Sequence, residues 1–567
     1  MKNLILLTLL MSYSIGLAQK PQLDHQAYDQ WKRLEKEQIS RNGALISYEL
    51  TVLKGNTVLH LFDTQTQKHD SIERGNSAII ATDASFVAWK MSPDYDSLRK
   101  LELAKVDKKK WPKDSLFIAH LSQDTIYKFA KIKSIEQAEE AAVLAFLQET
   151  TPQKIEKIEP KKIDKFLFWK KDAEVPYVNP FKTEGHRLVV YESGSGNFPF
   201  LDSITSFAVS PDGSKIAVIK QRKVKQDSMQ VQIYQCNNLQ LLKEFEAQPL
   251  ASHLNWSKNS NMLTFLFSPD TSKLKQMHLL LFDLKQLKTT EFGDSTDFEQ
   301  TPNGLYQAIG KGRLPVFSDN NQLLYFSVVA REQEQKDTLL ESEKVNLDIW
   351  HYQDLELQPQ QLLKKDRELK RGLLYAYHLE DERLVPIEND TLRISLDLQM
   401  TAPYLLARNS NPYAIEAQWK APFKNDLYRI DLKTGQAQLL GKALAHTGAL
   451  SADGRYFTYY LAEGQKWMLL DIAQQKHSCM TCSRKDIIWQ EDMNGQPMEA
   501  GPVGFIGFTA NAKEAVFQSQ YDIWSYDIAT KTLQSITKEQ ATHDQIELRF
   551  LPYVMDSAWL NLADGYF

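Results

Sequence analysis

The stretch SPDGSKIAVI, residues 210–219, places an Asp-Gly turn directly before a short apolar strand. Asp-Gly supplies the positive-φ position that a tight hairpin needs, and the alternation after it puts one strand face in a core. The fold depends on whether this hairpin is single or one copy of a repeat.

Related stretches recur along the chain. Each places Ser, Thr or Ala before a polar turn rich in Asp, Asn and Gly, and then alternates apolar residues. They are ISRNGALISYEL (39–50), FAVSPDGSKIAVI (207–219), LNWSKNSNMLTFLF (254–267), PVFSDNNQLLYFSV (315–328), GALSADGRYFTYYL (448–461) and GFTANAKEAVFQS (507–519). We therefore expect Asp212 and Gly213 to form a turn and to have no catalytic role.

A second element follows many of these copies. An apolar strand ends in Asp and leads through a polar turn to a short outgoing strand, as in LHLFDTQTQ (59–67), LLLFDLKQLK (279–288), LYRIDLKTGQ (427–436), WMLLDIAQQ (467–475) and IWSYDIATKT (523–532). The carboxylates of this element are expected to accept hydrogen bonds from turn amides. The residues concerned are Asp283, Asp431, Asp471 and Asp527.

The two elements together give units of four antiparallel strands, which are typical of propeller blades when they recur. The sequence predicts an all-β protein, a β-propeller of about 7–9 four-stranded blades over residues 39–567, with an incomplete last blade. Residues 19–38 are an N-terminal segment. The stretch SIEQAEEAAVLAFLQE (134–149) has a helix-favouring composition, but its place in the repeat favours a hairpin. Charged insertions at 151–165 and 331–344 are expected to be surface loops or short helices.

The N-terminus is typical of a secretory signal. Lys2 precedes an apolar run from Leu4 to Leu10, and small residues lead to a predicted cleavage after Ala18. The apolar run is shorter than the roughly 20 residues that a membrane span needs. Residues 1–18 are therefore predicted to be a signal peptide, and the mature protein to be periplasmic or secreted.

Composition and charge are those of a folded protein. Apolar residues make up 43% and charged residues 25%, and the net charge is −5. This balance gives no electrostatic reason to expect a nucleic acid or an anionic membrane as partner.

Few residues suggest chemistry. Cys479 and Cys482 form a CxxC near His477. It is predicted to be an incidental pair or a local disulfide, with metal or redox work as the alternative, since a second ligand pair for zinc and the βα context of a redox motif are missing. His351 is placed on a strand as a packed or surface residue. The acidic stretch SPDYDS (92–97) lacks calcium-loop spacing. The recurring tryptophans are expected to pack between blades: Trp89, Trp256, Trp350, Trp467 and Trp524. No cofactor or metal is expected.

Four longer stretches resemble the propeller region of secreted serine peptidases of the prolyl oligopeptidase family from Bacteroidetes-type bacteria. They are KPQLDHQAYDQWKRLEKEQISRNGALISYEL (20–50), KDSLFIAHL (113–121), VNLDIWHYQDLELQPQQ (345–361) and QYDIWSYDI (520–528). In that family a propeller precedes an α/β-hydrolase domain with a Ser, Asp, His triad and limits which peptides reach it. The resemblance implies peptides or a peptidase domain as partners.

The chemistry of that family does not carry over. Its nucleophile lies in a G-x-S-x-G elbow, and the nearest stretch here, ESGSGN (192–197), lacks the motif's first glycine. No catalytic residue is assigned, and the chain is expected to be a non-catalytic, truncated propeller. The alternative is an independent periplasmic propeller, similar to TolB-like proteins, that acts as a binding or scaffold protein.

Overall fold

The computed structural model describes residues 27–121, 125–149, 185–193, 197–223, 227–270, 276–293, 298, 306–309, 312–330, 343, 345, 347–394, 402–550 and 559–562. The predicted signal peptide and the insertion 151–165 lie outside these residues, as does 331–344 apart from residue 343. Contacts between Cα atoms divide the chain into two compact units, Met1–Glu246 and Ala247–Phe567. A single propeller domain over 39–567 stays a prediction.

The first unit begins with two four-stranded antiparallel sheets. One contains β1 to β4, which are Lys32–Ile39, Leu45–Val52, Val58–Asp63 and His69–Glu73. The other contains β5 to β8, which are Gly75–Ile80, Phe86–Met91, Ser115–His120 and Thr125–Ala130. Strand β1 starts inside the segment 19–38 that the sequence sets apart, so the first sheet includes residues on both sides of that boundary.

The first unit ends in a seven-stranded sheet, β9 to β15. The strands are Ile132–Gln137, Val143–Gln148, His186–Glu192, Phe200–Val209, Lys215–Lys223, Asp227–Gln235 and Leu241–Glu244. The fourth of these, β12, pairs with β11 through Phe200 and with β13 through Ala208. This long strand therefore belongs to two successive four-stranded units, and the first unit contains four such units. The pairing of β9 with β10 confirms the hairpin predicted in 134–149.

The second unit contains five sheets of the same kind. The first contains β16 to β19, which are Leu250–Trp256, Met262–Ser268, His278–Asp283 and Lys288–Phe292. The second contains β20 to β24, which are Tyr306–Ile309, Val316–Phe317, Leu323–Ala330, Leu373–His378 and Arg383–Pro386. Both β20 and β21 pair with β22, so they form one interrupted first strand.

The remaining three sheets each have four strands. The first contains β25 to β28, which are Arg393–Ile394, Tyr404–Asn409, Asn425–Asp431 and Ala437–Leu444. The second contains β29 to β32, which are His446–Leu450, Tyr456–Leu461, Lys466–Asp471 and Lys476–Cys479. The third contains β33 to β36, which are Gly504–Phe508, Glu514–Gln518, Ile523–Asp527 and Thr532–Ser535. The last sheet is complete, where the sequence predicts an unfinished blade, because Thr532–Ser535 supplies its outer strand.

Every sheet is an up-and-down antiparallel meander, which is the topology of a propeller blade. The α-helices among the described residues are Tyr95–Leu103, Gln358–Arg371 and Gln540–Asp544, and short 3-10 turns lie at Ala27–Gln30, Lys108–Lys110, Asn411–Tyr413, Glu416–Gln418 and Ala510–Ala512. The fold class is therefore the predicted one, all-β and of the β-propeller type, and the described residues form four blade units in the first compact unit and five in the second.

The turn between first and second strands has a repeated hydrogen-bond pattern. In the opening stretch, Ser210 Oγ donates to Asp212 Oδ1 at 2.6 Å and accepts from the backbone N–H of Lys215 at 2.9 Å. Gly213 takes the positive φ of +69° that the turn needs. The same serine bonds recur at Ser40, Ser257, Ser318 and Ser451. Asp212 and Gly213 are turn residues, as predicted.

Neighbouring sheets pack face to face through apolar clusters. One cluster joins Leu59 and Leu61 of β3 to Trp89 of β6 and Phe117 of β7. A blade buries its faces only against its neighbours, which makes this stacking the source of the core. Four of the five tryptophans expected to pack are buried: Trp89, Trp256, Trp467 and Trp524.

Candidate interaction surface

The two ends of the sheets differ in their connections. In an up-and-down sheet the turns after the first and third strands lie at one end, while the connection after the second strand and the exit to the next sheet lie at the other. The first end, here called the turn end, carries the short serine and aspartate turns. The second, the loop end, carries the long insertions of the second unit at 331–372, 410–424 and 480–503.

The aspartates at the turn end behave as predicted. Asp283 accepts from the backbone N–H groups of Lys285 and Gln286 at 2.8 and 3.0 Å. The remaining three accept in the same way, Asp431 from Lys433, Asp471 from Gln474 and Asp527 from Thr530. These carboxylates hold the turn between third and fourth strands and have a structural role.

Two insertions at the loop end are joined by a direct hydrogen bond. The side-chain amide of Gln418 donates to the backbone carbonyl oxygen of Asp354 at 3.1 Å. A neighbouring ion pair joins Lys420 to Glu416 at 2.6 Å. The hydrogen bond with Glu416 raises the pKa of Lys420, and the charge of Glu499, in the third insertion, adds to this shift. Charged groups of 410–424 and 480–503 therefore act on each other.

These insertions expose large aromatic side chains. The exposed fractions are 61% for Trp350, 82% for Tyr352, 72% for Trp419 and 65% for Phe423. We call these four residues the aromatic surface. Exposed aliphatic residues flank it in the sequence: Val345, Leu347, Ile349, Leu362 and Leu363. Exposed aromatic side chains on two hydrogen-bonded insertions make this end of the sheets the candidate interaction site.

The aromatic surface corrects two predictions from the sequence. Trp350 is exposed and does not pack between blades. His351 lies in a turn and not on a strand, since its backbone N–H donates to Asp354 Oδ2 at 3.1 Å and its carbonyl accepts from the N–H of Asp354. The strand-like alternation of 345–352 is misleading because the segment belongs to the insertion between β22 and β23.

A buried carboxylate lies at the loop end of the same sheets. The side chain of Glu388 is fully buried and accepts two hydrogen bonds from Arg313, at 2.6 and 3.1 Å. It also accepts from the backbone N–H groups of Leu374 at 3.2 Å and Ile394 at 2.6 Å. Glu388 thus connects the starts of β23 and β25 to the residues before β21, and positions the roots of the insertions.

A histidine faces the third insertion. His446 begins β29, and its Nε2 lies 3.8 Å from a carboxylate oxygen of Glu499. Burial lowers the pKa of His446, although Glu499 and Glu491 oppose that shift. The loop packs closely here, because a Cβ at Gly501 would lie 3.2 Å from the imidazole ring.

The other residues that the sequence analysis weighed for chemistry have structural roles. Cys479 and Cys482 form a disulfide, which is one of the two predicted states. In SPDYDS, Asp94 caps the helix Tyr95–Leu103 by accepting from the backbone N–H of Ser97. Residues 194–196 of ESGSGN lie outside the described residues. Within the part of the chain that the structure describes, no group of three His, Cys, Asp or Glu side chains is arranged to hold a metal ion.

Sequence alone missed the aromatic surface and the buried Glu388. The exposed aromatic residues come from two insertions, and nothing in either stretch predicts the hydrogen bond that joins these insertions. Among the helices of the described residues, none is long and apolar enough to span a membrane.

The fold and this surface define a protein of the β-propeller class with an elaborated loop end. No protein-family model matches the chain, and no curated protein matches it. Solved structures do match. The β-propeller domain of the trilobed protease from Pyrococcus furiosus is 12% identical, with 73% of this chain and 99% of that chain covered and a TM-score of 0.30.

Two further matches are described as a protease and a peptidase. The tricorn protease is 13% identical, with 79% of this chain and 43% of that chain covered and a TM-score of 0.29. An acylaminoacyl peptidase from Pyrococcus horikoshii is 10% identical, with 74% of this chain and 54% of that chain covered and a TM-score of 0.29. The chain spans about half the length of these two proteins. At such low TM-scores the fold assignment rests on the sheets themselves.

Proposed function

We propose that the chain binds polypeptides through the aromatic surface at the loop end of its second unit. In this role it is a substrate-gating propeller of the prolyl oligopeptidase type, and peptide hydrolysis requires a separate hydrolase domain or partner. The resemblance in 345–361 supports the proposal, because that stretch contains Trp350 and Tyr352.

The main support for peptide binding is the exposure of the aromatic surface. Trp and Tyr side chains provide large apolar contact areas at low conformational cost, and they dominate the binding energy of many interfaces. Leaving them in water is unfavourable, so a ligand that covers them gains hydrophobic free energy. The hydrogen bond from Gln418 to Asp354 holds the two insertions together and reduces the ordering cost of binding.

The insertion that carries Trp350 contains both signs of charge, with acidic residues beside the rings and a helix rich in Lys and Arg at Gln358–Arg371. Asp348, Asp354 and Glu356 lie in the same segment as Trp350 and Tyr352. Carboxylates interleaved with the aromatic residues repel nucleic-acid phosphates and anionic lipid head groups. A peptide offers apolar side chains for the rings and backbone groups for the surrounding polar atoms.

We further propose that the protein works in the periplasm or outside the cell. The disulfide between Cys479 and Cys482 supports this proposal, since structural disulfides persist mainly in oxidising compartments. N-terminal sequencing of the protein from its native host tests it, with Gln19 expected as the first residue. Retention of residues 1–18 in a cytosolic fraction would refute it.

Binding of fluorescein-labelled peptides rich in Leu and Phe, followed by fluorescence anisotropy, tests the peptide function. The double variant Trp350→Ala/Trp419→Ala should bind at least about tenfold more weakly, since each ring contributes on the order of 1–2 kcal/mol. Leu287→Ala is the matched control, because Leu287 is exposed and lies in the turn between β18 and β19, at the turn end. Equal binding by wild type and the double variant would overturn the proposal.

A further inference from the structure

Four arginines lie at the loop end of two neighbouring sheets in the second unit. Arg313 precedes β21, Arg371 ends the helix Gln358–Arg371 before β23, Arg393 begins β25 and Arg408 lies near the end of β26. The loop end holds the starts of the first and third strands and the end of the second, which places Arg371, Arg393 and Arg408 there. Arg313 lies between the two parts of the interrupted first strand and reaches this end through Glu388.

The carboxylate of Glu388 is already engaged by Arg313. Arg313 binds it bidentately, and two backbone N–H groups complete its hydrogen bonding. Arg371 approaches the same carboxylate only to 3.7 Å, and it lies 3.5 Å from Glu368 Oε2. Arg371 therefore forms ion pairs with two carboxylates, both longer than the contacts of Arg313 with Glu388.

Burial lowers the pKa of Arg371, and the positive charges of Arg313 and Arg393 lower it further, against the opposing effects of Glu388 and Glu368. Glu388 lies between Arg313 and Arg371 and already balances this repulsion.

Arg393 and Arg408 form a second like-charged pair. They are directly opposite each other in the antiparallel pairing of β25 with β26, so their side chains leave the same face of the sheet. Like charges in this position destabilise a sheet. Arg393 donates to the backbone carbonyl oxygen of Asn389 at 3.2 Å, and Arg408 is exposed.

We propose that Arg393 and Arg408, here called the arginine cluster, bind a carboxylate group of a polypeptide ligand. Guanidinium groups present paired N–H donors that match the two oxygens of a carboxylate. The carboxylate belongs either to the C-terminus of the ligand or to an Asp or Glu side chain. This inference rests on the proposed peptide-binding function.

The connection to the aromatic surface is short along the chain. Arg408 immediately precedes the insertion 410–424 that carries Trp419, and Arg371 closes the insertion that carries Trp350. Tyr413 donates to Asp426 Oδ1 at 2.5 Å and fixes the start of 410–424 against β27. A peptide that covers the rings can therefore place a carboxylate on the arginines.

The experiment uses the full chain and three labelled peptides of one apolar sequence: a free acid, its C-terminal carboxamide, and a carboxamide with one internal Glu. The free acid should bind at least about tenfold more tightly than the carboxamide, as one charge-assisted bidentate contact predicts. Arg393→Gln and Arg408→Gln should each reduce this preference to about twofold or less. Arg367→Gln is the control, since Arg367 lies on the same helix but is 69% exposed.

Each result decides a separate point. Recovery of tight binding by the internal Glu supports the cluster and identifies a side-chain carboxylate as a sufficient ligand, whereas a free-acid preference alone identifies the C-terminus. Equal binding of acid and carboxamide overturns the inference and leaves the peptide function standing. If no peptide binds, the proposed peptide function is wrong. Thermal denaturation in the presence of inorganic phosphate then tests whether the arginine cluster binds an anion. If phosphate raises the thermal midpoint of the wild type and Arg408→Gln abolishes that rise, the arginine cluster is an oxyanion site. Identical stabilisation of both proteins overturns the inference.

Discussion

The side-chain amide of Gln418 donates to the backbone carbonyl oxygen of Asp354 at 3.1 Å and so joins insertions from two neighbouring sheets. Each insertion is also anchored to its own sheet, as 410–424 is through the hydrogen bond of Tyr413 with Asp426. The bond between Gln418 and Asp354 adds a direct link between the segments that carry Trp350 and Trp419. Two exposed rings on independently moving loops would offer a weaker binding surface than two rings held together.

Gln418→Ala should loosen the surface without unfolding the sheets. We expect chymotrypsin to cleave after Tyr352 several-fold faster than in wild type, because cleavage follows the population of locally opened loop. The thermal midpoint should stay unchanged, since the core does not include Gln418. Gln496→Ala, in the third insertion, is the control and should leave cleavage at Tyr352 as it is. Equal cleavage rates in wild type and Gln418→Ala would show that the bond does not hold the insertions.

The turn glycines provide a closely matched pair of variants. Gly43 and Gly213 both have φ of +69°, so Ala at either position meets the same backbone penalty. A Cβ at Gly213 would lie 2.6 Å from Ala141 Cβ, whereas a Cβ at Gly43 meets nothing within 4 Å. Gly213→Ala should therefore destabilise the first unit by at least about 1 kcal/mol more than Gly43→Ala. Urea denaturation followed by tryptophan fluorescence measures the difference, and equal losses would exclude the steric contact.

Removal of the buried charge of Glu388 should strongly destabilise the folded state. Glu388→Gln leaves Arg313 without its carboxylate in a buried site, and we expect a loss of about 3–5 kcal/mol in the free energy of unfolding. Glu416→Gln is the control, because Glu416 forms an exposed ion pair with Lys420 and its removal should leave stability unchanged. The comparison needs only chemical denaturation. A small effect at position 388 would mean that the arginine side chain finds water or another acceptor.

Glu136 predicts a pH dependence in the first unit. Burial raises its pKa from 4.5 to about 7, although the hydrogen bond from the backbone N–H of Val209 opposes the shift. The folded state therefore binds a proton that the unfolded state has released, and this contribution to stability is lost as pH rises from about 4.5 to about 7. Glu136→Gln should remove that slope and stabilise the protein at about pH 8 by on the order of 1–3 kcal/mol.

Denaturation at about pH 5 and at about pH 8 measures the effect of Glu136. Glu140→Gln is the control, since Glu140 is exposed in the turn that follows the same strand. An unchanged pH slope in Glu136→Gln would show that the carboxylate stays hydrated in the folded state.

The blade repeat was readable in the sequence because its signals are local. Ser210, Asp212 and Gly213 lie within four positions of one another, and their hydrogen bonds close within one turn. The strands on either side alternate apolar residues for the same reason. Asp283 and its counterparts are equally local, since each accepts from amides two or three residues later.

The loop-end features were not readable because they join distant segments. Glu388 and Arg313 come from different connections, and their pairing exists only after the strands between them have formed. Trp350 resembles a packed blade residue by its neighbours, but its environment is set by the insertion around it. Local pattern therefore specified the sheets, while the surface required tertiary structure.

The serine and aspartate turns have a practical consequence for handling the protein. Residues at the turn end are tied by side-chain bonds at fixed spacing, so added residues there would break those bonds and shift strand register. Gly495, at the tip of the third insertion, has nothing within 4 Å of an added Cβ. An affinity tag or a fluorescent label can be introduced at that tip, which would give a detectable chain whose sheets keep their register.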